Sequence, residues 1–246
     1  MPEVDVLAFG PHPDDVELGC GGTLLKLAEK GYRCAIVDLT RGEMGTRGTV
    51  ETRAAEADAA ATILKVMARE NLGLPDGFVR NDDESRRKVV EAIRAYRPKL
   101  VLAPYHQDRH PDHYHASELI YEATFVAGLR RYETGQGSYR PPKFVYYMRW
   151  YEFEPTFIVD ITDQYERKME AIWSYASQFK PPDRVKAGLE SVDDLETRLT
   201  TPEYHWKLVH RMAYYGSLIQ TRYGEGFLIS GQLEMDDLLG AQFLSF

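Results

Sequence analysis

The sequence predicts an α/β protein: a Rossmann-like, mostly parallel sheet with helices on both faces and a less regular C-terminal half. Three observations carry the prediction. Short β-branched apolar runs alternate with longer segments of helical periodicity over about the first 125 residues, Gly and Pro fall at the boundaries, and the regular alternation then stops. Such alternation favours a parallel sheet, because parallel strands need a long crossover that packs on a sheet face.

In chain order, residues 4–9 read as a first strand closed by Gly10-Pro11, and residues 18–29 as a helix with a Gly-rich opening and Leu and Ala at helical spacing. Residues 34–39 form the next strand, 50–66 an alanine-rich helix, 68–72 a short strand and 84–96 a further helix. Pro98 stops that helix, and Pro104 ends a strand over 99–103. Beyond these, 144–151 and 156–161 read as strands, 163–178 as a helix with Asp163 as N-cap, and 202–218 as a last long helix. The polar, proline-bearing stretch 180–201 reads as a loop or lid rather than a linker. With no internal repeat or low-complexity tract, a single domain over 1–246 is expected.

Hydrophobic residues at 43% and charged residues at 28% fit a globular chain that buries a core. A formal charge of −8 leaves no basic stripe to follow a phosphate backbone, so nucleic acid is not an expected partner. No apolar run approaches the ~20 residues that span a bilayer, and the N-terminus lacks a signal-peptide pattern, so neither a membrane nor export is expected. A cytoplasmic protein follows as the expectation. Cys20 and Cys34 lack CxxC spacing and read as free, buried thiols.

In a doubly wound sheet, ligands bind beyond the carboxyl ends of the strands where strand order reverses, which selects the loops after Phe9 and Ala103. Both are rich in chemistry. The first reads Pro11-His12-Pro13-Asp14-Asp15-Val16-Glu17; the second holds His106, His110, His113 and His115, four of the chain's seven histidines. Imidazole with carboxylate suits zinc, and a catalytic zinc takes three protein ligands plus an open position. Two ligands from one loop and one from the other meet that count, but spacing does not choose among the four histidines. Gly19, Gly21 and Gly22 do not make GxGxxG, and the carboxylates would repel a pyrophosphate, which excludes a dinucleotide site. The aromatic group Tyr146, Tyr147, Trp150, Tyr151 and Phe153 reads as core or subunit interface rather than a sugar platform.

The strings AFGPHPDDVELGCGGTLLKLAEKGY, DLTRGEMGTRGTVETRAAEA and APYHQDRHPDH, in that order, resemble the LmbE-like or PIG-L family of zinc-dependent N-acetylglucosaminyl deacetylases. The likeness extends to YGEGF at Tyr223 to Phe227, and is greatest to the branch that deacetylates N-acetylglucosaminyl malate in bacillithiol biosynthesis. It implies a hydrolase with one zinc per chain, or iron in its place, held by His12, Asp15 and His113. Asp14 is then the general base, and His110 stabilises charge or donates a proton; a carboxylate such as Asp112 or Asp108 would hold His110 protonated. Tyr204 corresponds to a tyrosine that polarises the carbonyl or holds the sugar, and Arg53 to a substrate-binding arginine. In the loop after the second strand, Glu43, Met44, Gly45 and Thr46 are candidate contacts to an amino-sugar substrate. Arg109 is a candidate for an anionic aglycone such as malate, since guanidinium grips carboxylate bidentately. The resemblance also implies a homo-oligomer, a hexamer in the malate branch.

Overall fold

A computed structural model describes residues 3–179 and 196–232. Strands β1 (Val6–Gly10), β2 (Cys34–Thr40), β3 (Ala68–Leu74), β4 (Leu100–Pro104), β5 (Lys143–Tyr147), β6 (Phe157–Asp160) and β7 (Gly224–Leu228) form one sheet in the order β3-β2-β1-β4-β5-β7-β6. The pairs from β3 to β5 are parallel, whereas β7 runs antiparallel to both β5 and β6. Strand order reverses between β1 and β4, so the expected crevice lies above their carboxyl ends.

The period-2 alternation of strand side chains builds a core on each face. Val6, Ala8, Ile36 and Leu102 point into one, covered by α1 (Asp15–Glu29), α2 (Val50–Ile63), α5 (Tyr165–Trp173) and α6 (Pro202–Leu218). Leu7, Phe9, Val37 and Val101 point into the other, under α3 (Asp83–Tyr96) and α4 (Pro111–Ala127). Phe9 and Leu7 are wholly buried, which is worth about 1.5–3 kcal/mol each relative to exposure.

Four sequence readings need correction. The strand expected over 144–151 ends at Tyr147, because the chain leaves the sheet there and carries Arg149 and Trp150 over its edge. The helix expected over 163–178 is a 3₁₀ turn, Thr162–Gln164, followed by the shorter α5; Asp163 lies inside the turn, and Asp160 accepts from Thr162 N at 2.9 Å instead. The first helix starts at Asp15 rather than Leu18. β7 was not anticipated, since Gly-Glu-Gly reads as a turn until β5 and β6 pair with it. Most of the expected 180–201 loop lies outside the described residues. Cys20 and Cys34 are buried and free, and no described helix is long and apolar enough to cross a membrane.

Candidate active site

The loop between β1 and α1 meets the loop between β4 and α4 above the reversal point. His12 Nδ1, Asp15 Oδ2 and His113 Nε2 form a triangle with sides of 3.2, 3.3 and 3.3 Å. Metal–ligand bonds of about 2.0–2.1 Å at tetrahedral angles require ligand atoms about 3.4 Å apart, so the triangle is already the base of a zinc tetrahedron. A second group, His12, His110 and Asp112, also gathers ligand atoms within 4.8 Å. His106 instead packs on Tyr105 and Tyr146, and His115 on Tyr114.

Each atom of the triangle is braced from behind. His12 Nε2 meets Asp76 Oδ1 at 2.9 Å and Asp112 Oδ2 at 3.2 Å. Asp112 in turn accepts from Gly77 N and Val79 N at 2.7 and 3.1 Å. His113 Nδ1 lies 3.1 Å from Asp108 Oδ1, an ion-pair distance without the alignment of a hydrogen bond. Asp15 gives its other oxygen to Arg149 Nε. Such outer partners fix ligand orientation and tautomer. Burial opposes the His12 cation, but Asp112, Asp15 and Asp76 outweigh it and raise its pKa well above the ordinary value. Burial likewise opposes ionised Asp15, yet His113 and Arg149 hold its carboxyl well below the usual range.

Asp14 stands beside the triangle with φ 119° and ψ −23°, a conformation rarely adopted by a residue with a side chain and costing about 1–3 kcal/mol. It is the N-cap of α1, yet its carboxylate makes no capping bond; it lines the cavity and accepts from Arg53 Nη2 at 3.1 Å. Burial pushes its carboxyl up to about 6, against the pull of Arg53. Arg53 also donates to the Pro13 carbonyl, and its guanidinium passes so close to Gly42 that a Cβ there would come within 2.4 Å. Gly42, at φ +68°, therefore meets both a steric and a conformational requirement.

The cavity measures about 200 Å³, and its walls include His12, Asp14, Asp15, Arg53, Asp76, His110, His113 and Arg149. Of the expected substrate contacts, Arg53, Arg109, Met44 and Gly45 line it, whereas Glu43 and Thr46 do not. Glu43 accepts from Asp76 N at 2.9 Å and ties its loop to the one after β3. Tyr204 is also absent from the wall; it stacks between Trp150 and Phe179 and receives a hydrogen bond from Arg149 Nη1 at 3.1 Å. Trp150 does line the cavity, unlike Tyr146 and Tyr147, which are core.

Neither carboxylate holds the His110 ring as expected: Asp108 accepts from its backbone N, and Asp112 serves His12 and the 77–79 backbone. The ring Nδ1 instead accepts from Asp112 N at 3.2 Å. Burial, then the neighbouring His12 and His113, lowers its pKa. Arg149 and Asp76 were not anticipated. The carboxyl-edge rule that selected the other loops would have found Leu74-Pro75-Asp76-Gly77; nothing local marks Arg149.

The fold and the site define an α/β enzyme whose chemistry lies at the carboxyl edge of its sheet, around a His/Asp/His group able to hold a metal ion. A family profile described as PIG-L, GlcNAc-PI de-N-acetylase, matches residues 7–124. A diacetylchitobiose deacetylase from Thermococcus kodakarensis is 32% identical, over 90% of this chain and 81% of its own. The solved structure of a conserved protein from Thermus thermophilus superposes with a TM-score of 0.84 at 35% identity, covering 98% of this chain and 100% of that one. A probable N-acetyl-alpha-D-glucosaminyl L-malate deacetylase 2 from Bacillus anthracis is 28% identical over 72% of this chain and 82% of its own. A 4-oxalmesaconate hydratase from Pseudomonas putida is 27% identical over 72% and 75%. The chain belongs to the PIG-L, or LmbE-like, deacetylase family, and is an enzyme of the class that hydrolyses N-acetyl amide bonds.

Proposed function

We propose that this protein is a zinc-dependent deacetylase that removes the acetyl group from an N-acetylglucosamine conjugate. The conjugate we assign is N-acetylglucosaminyl malate, which places the enzyme in bacillithiol biosynthesis, in the cytoplasm. The observation that carries the reading is the metal-sized triangle of His12, Asp15 and His113, with Asp14 beside it on the wall of one cavity. The rival group with His110 is weaker, because both oxygens of Asp112 already accept from backbone N–H groups. A zinc ion, or iron in its place, would supply Lewis acidity toward the acetyl carbonyl and make water acidic near neutral pH.

Asp14 takes the proton of the attacking water, a task for which a carboxyl raised to about 6 is a stronger base than an ordinary aspartate. Arg53 holds that carboxylate in place. His110, its Nδ1 engaged by the backbone, carries its proton on Nε2 and can donate to the oxyanion that forms on the acetyl oxygen. Cleavage of the C–N bond then leaves acetate and a free amine, the amine receiving the proton that Asp14 removed. Tyr204 acts through Arg149, which anchors Asp15.

Two features support an anionic aglycone. Arg109 lies 4.1 Å from the centre of the Trp150 ring and Arg198 5.6 Å from it, and neither has a carboxylate partner among the described residues. We also read the chain as a homo-oligomer, supported by exposed apolar residues on α4 (Tyr121, Phe125), just past its end (Leu129) and at helical spacing on α6 (Trp206, Tyr214, Leu218). Light scattering of the purified chain checks this: a monomer removes it, and a hexamer matches the malate branch.

The main test offers zinc-loaded and iron-loaded protein a panel of N-acetylglucosaminyl malate, N,N'-diacetylchitobiose and N-acetylglucosamine, with acetate as the readout. The malate conjugate should give the highest kcat/KM, and diacetylchitobiose in its place would correct the aglycone alone. Absence of acetate from every member would end the deacetylase reading. Hydration of 4-oxalmesaconate instead would align the chain with the hydratase.

A further inference from the structure

Helix α1 is broken. Cys20, at φ −145° and ψ 18°, divides it into a short first segment carrying Asp15 and Glu17 and a longer one running to Glu29. A break in mid-helix frees carbonyl groups on one side and N–H groups on the other. Here both sets are buried, and two side chains from distant parts of the chain answer them. The Glu225 carboxylate, from β7, accepts from Gly22 N at 2.9 Å and Thr23 N at 2.8 Å. Lys168, from α5, donates to the Leu18 carbonyl at 3.1 Å and to Glu225 Oε1 at 2.6 Å. The anion caps a helix N-terminus and the cation a C-terminus, as the backbone dipoles favour.

Both side chains are almost wholly enclosed, at 1% and 2% exposure. A desolvated ion pair is a poor source of stability compared with an apolar pair of the same size, so its use here calls for another reason. The break lies one turn from the reacting groups. Leu18 N donates to the Asp14 carbonyl at 3.0 Å, so Lys168 grips the residue that ties the first turn to Asp14. The next residue, Gly19, lies against Tyr147, where a Cβ would come within 2.2 Å of the ring. The Tyr147 hydroxyl donates to the Phe9 carbonyl near the end of β1 at 2.7 Å. The first segment of α1 thus meets both β5 and the ion pair.

We propose that Lys168 and Glu225 are positioning residues for the reaction: together they hold the two parts of α1 at a fixed angle, and so fix Asp14 and Asp15 relative to His12 and His113. This rests on the metal site proposed above. The experiment compares the full-length wild type with the double variant Lys168→Met/Glu225→Gln and with Glu225→Asp. The double variant removes both charges together and strands neither; Glu225→Asp keeps the pair but withdraws the carboxylate from Gly22 and Thr23. Zinc affinity is read by competition with a chromophoric chelator, kinetics at saturating zinc, and folding by thermal unfolding and circular dichroism.

Folded variants should bind zinc about 10- to 100-fold more weakly, with kcat at saturating zinc lowered by a similar factor and KM little changed. Wild-type zinc affinity and kcat in either folded variant would overturn the proposal. Should the double variant not fold, Glu225→Asp alone decides. A wild-type protein that binds no zinc would instead remove the metal site itself, so the two failures are distinguishable.

Discussion

The two halves of the chain contribute opposite things to one site. The half up to Ala127 supplies His12, Asp14, Asp15, Asp76, Asp108, His110, Asp112 and His113, all from loops or helix starts at the carboxyl edge of parallel strands. The half beyond it supplies Arg149, Trp150, Tyr204, Lys168 and Glu225, of which only Arg149 and Trp150 line the cavity. Five carboxylates converge in the first set, whereas among the described residues only Arg53 and Arg149 bring guanidinium groups against Asp14 and Asp15. Charge of one sign gathered at a buried edge needs a counter-ion, and the second half holds the geometry in which a metal ion can be that counter-ion.

The comparison breaks first at Asp14. Asp14→Asn should lower kcat by about 10³-fold, within the range for loss of a general base, while zinc stoichiometry stays at one per chain by elemental analysis. A folded variant that turns over at a tenth of the wild-type rate would move the base elsewhere. Chelation should abolish turnover entirely, and added zinc should restore it. A second-half residue should fail differently. Arg149→Met strips one oxygen of the buried Asp15 carboxylate of its charged partner, so zinc affinity should fall about 10- to 100-fold and stability by about 3 kcal/mol, read by chelator competition and denaturant unfolding. Unchanged zinc affinity would mean that Asp15 keeps its orientation without Arg149.

The same division separates what the sequence discloses from what it hides. Strands β1 and β4 are apolar throughout, and β2 is so up to Asp38, because helices cover both their faces, and that pattern reads directly as buried parallel strand. The site loops follow from the order of those strands. Even the choice between His110 and His113 has a local sign: Pro111 favours the first helical position, which makes His110 the N-cap, with its ring turned to the backbone, and puts His113 in the first turn. Arg149 has no such sign. Its partner Asp15 is 134 residues away, and a lone arginine after a strand looks like any solvated cation. Glu225 is hidden in the same way, since its partners Gly22 and Thr23 are 203 and 202 residues distant.

Smaller effects sharpen the contrast at the cavity mouth. Arg109→Ala should raise KM for the malate conjugate about tenfold, the equivalent of about 1.4 kcal/mol, and leave KM for a neutral N-acetylglucosamine conjugate nearly unchanged. Equal losses on both substrates would assign Arg109 to packing on Trp150 rather than to charge recognition.

The smallest change is expected at Tyr204. Phenylalanine keeps the ring stacked between Trp150 and Phe179 and removes only the hydroxyl that accepts from Arg149. A hydrogen bond to a charged group is worth about 1.5–3 kcal/mol, but Arg149 keeps its bond to Asp15, so most of its orientation survives. Tyr204→Phe should therefore lower kcat about fivefold, with KM unchanged and Tm lowered by about 2–4 °C per kcal/mol of stability lost. Steady-state kinetics beside calorimetry decides the matter. A loss of 100-fold in kcat with an unchanged Tm would bring the hydroxyl out of its supporting place and onto the acetyl carbonyl during the reaction. Such a result would require Arg149 to release Tyr204 when substrate binds, and would make the second half a donor of reacting groups after all.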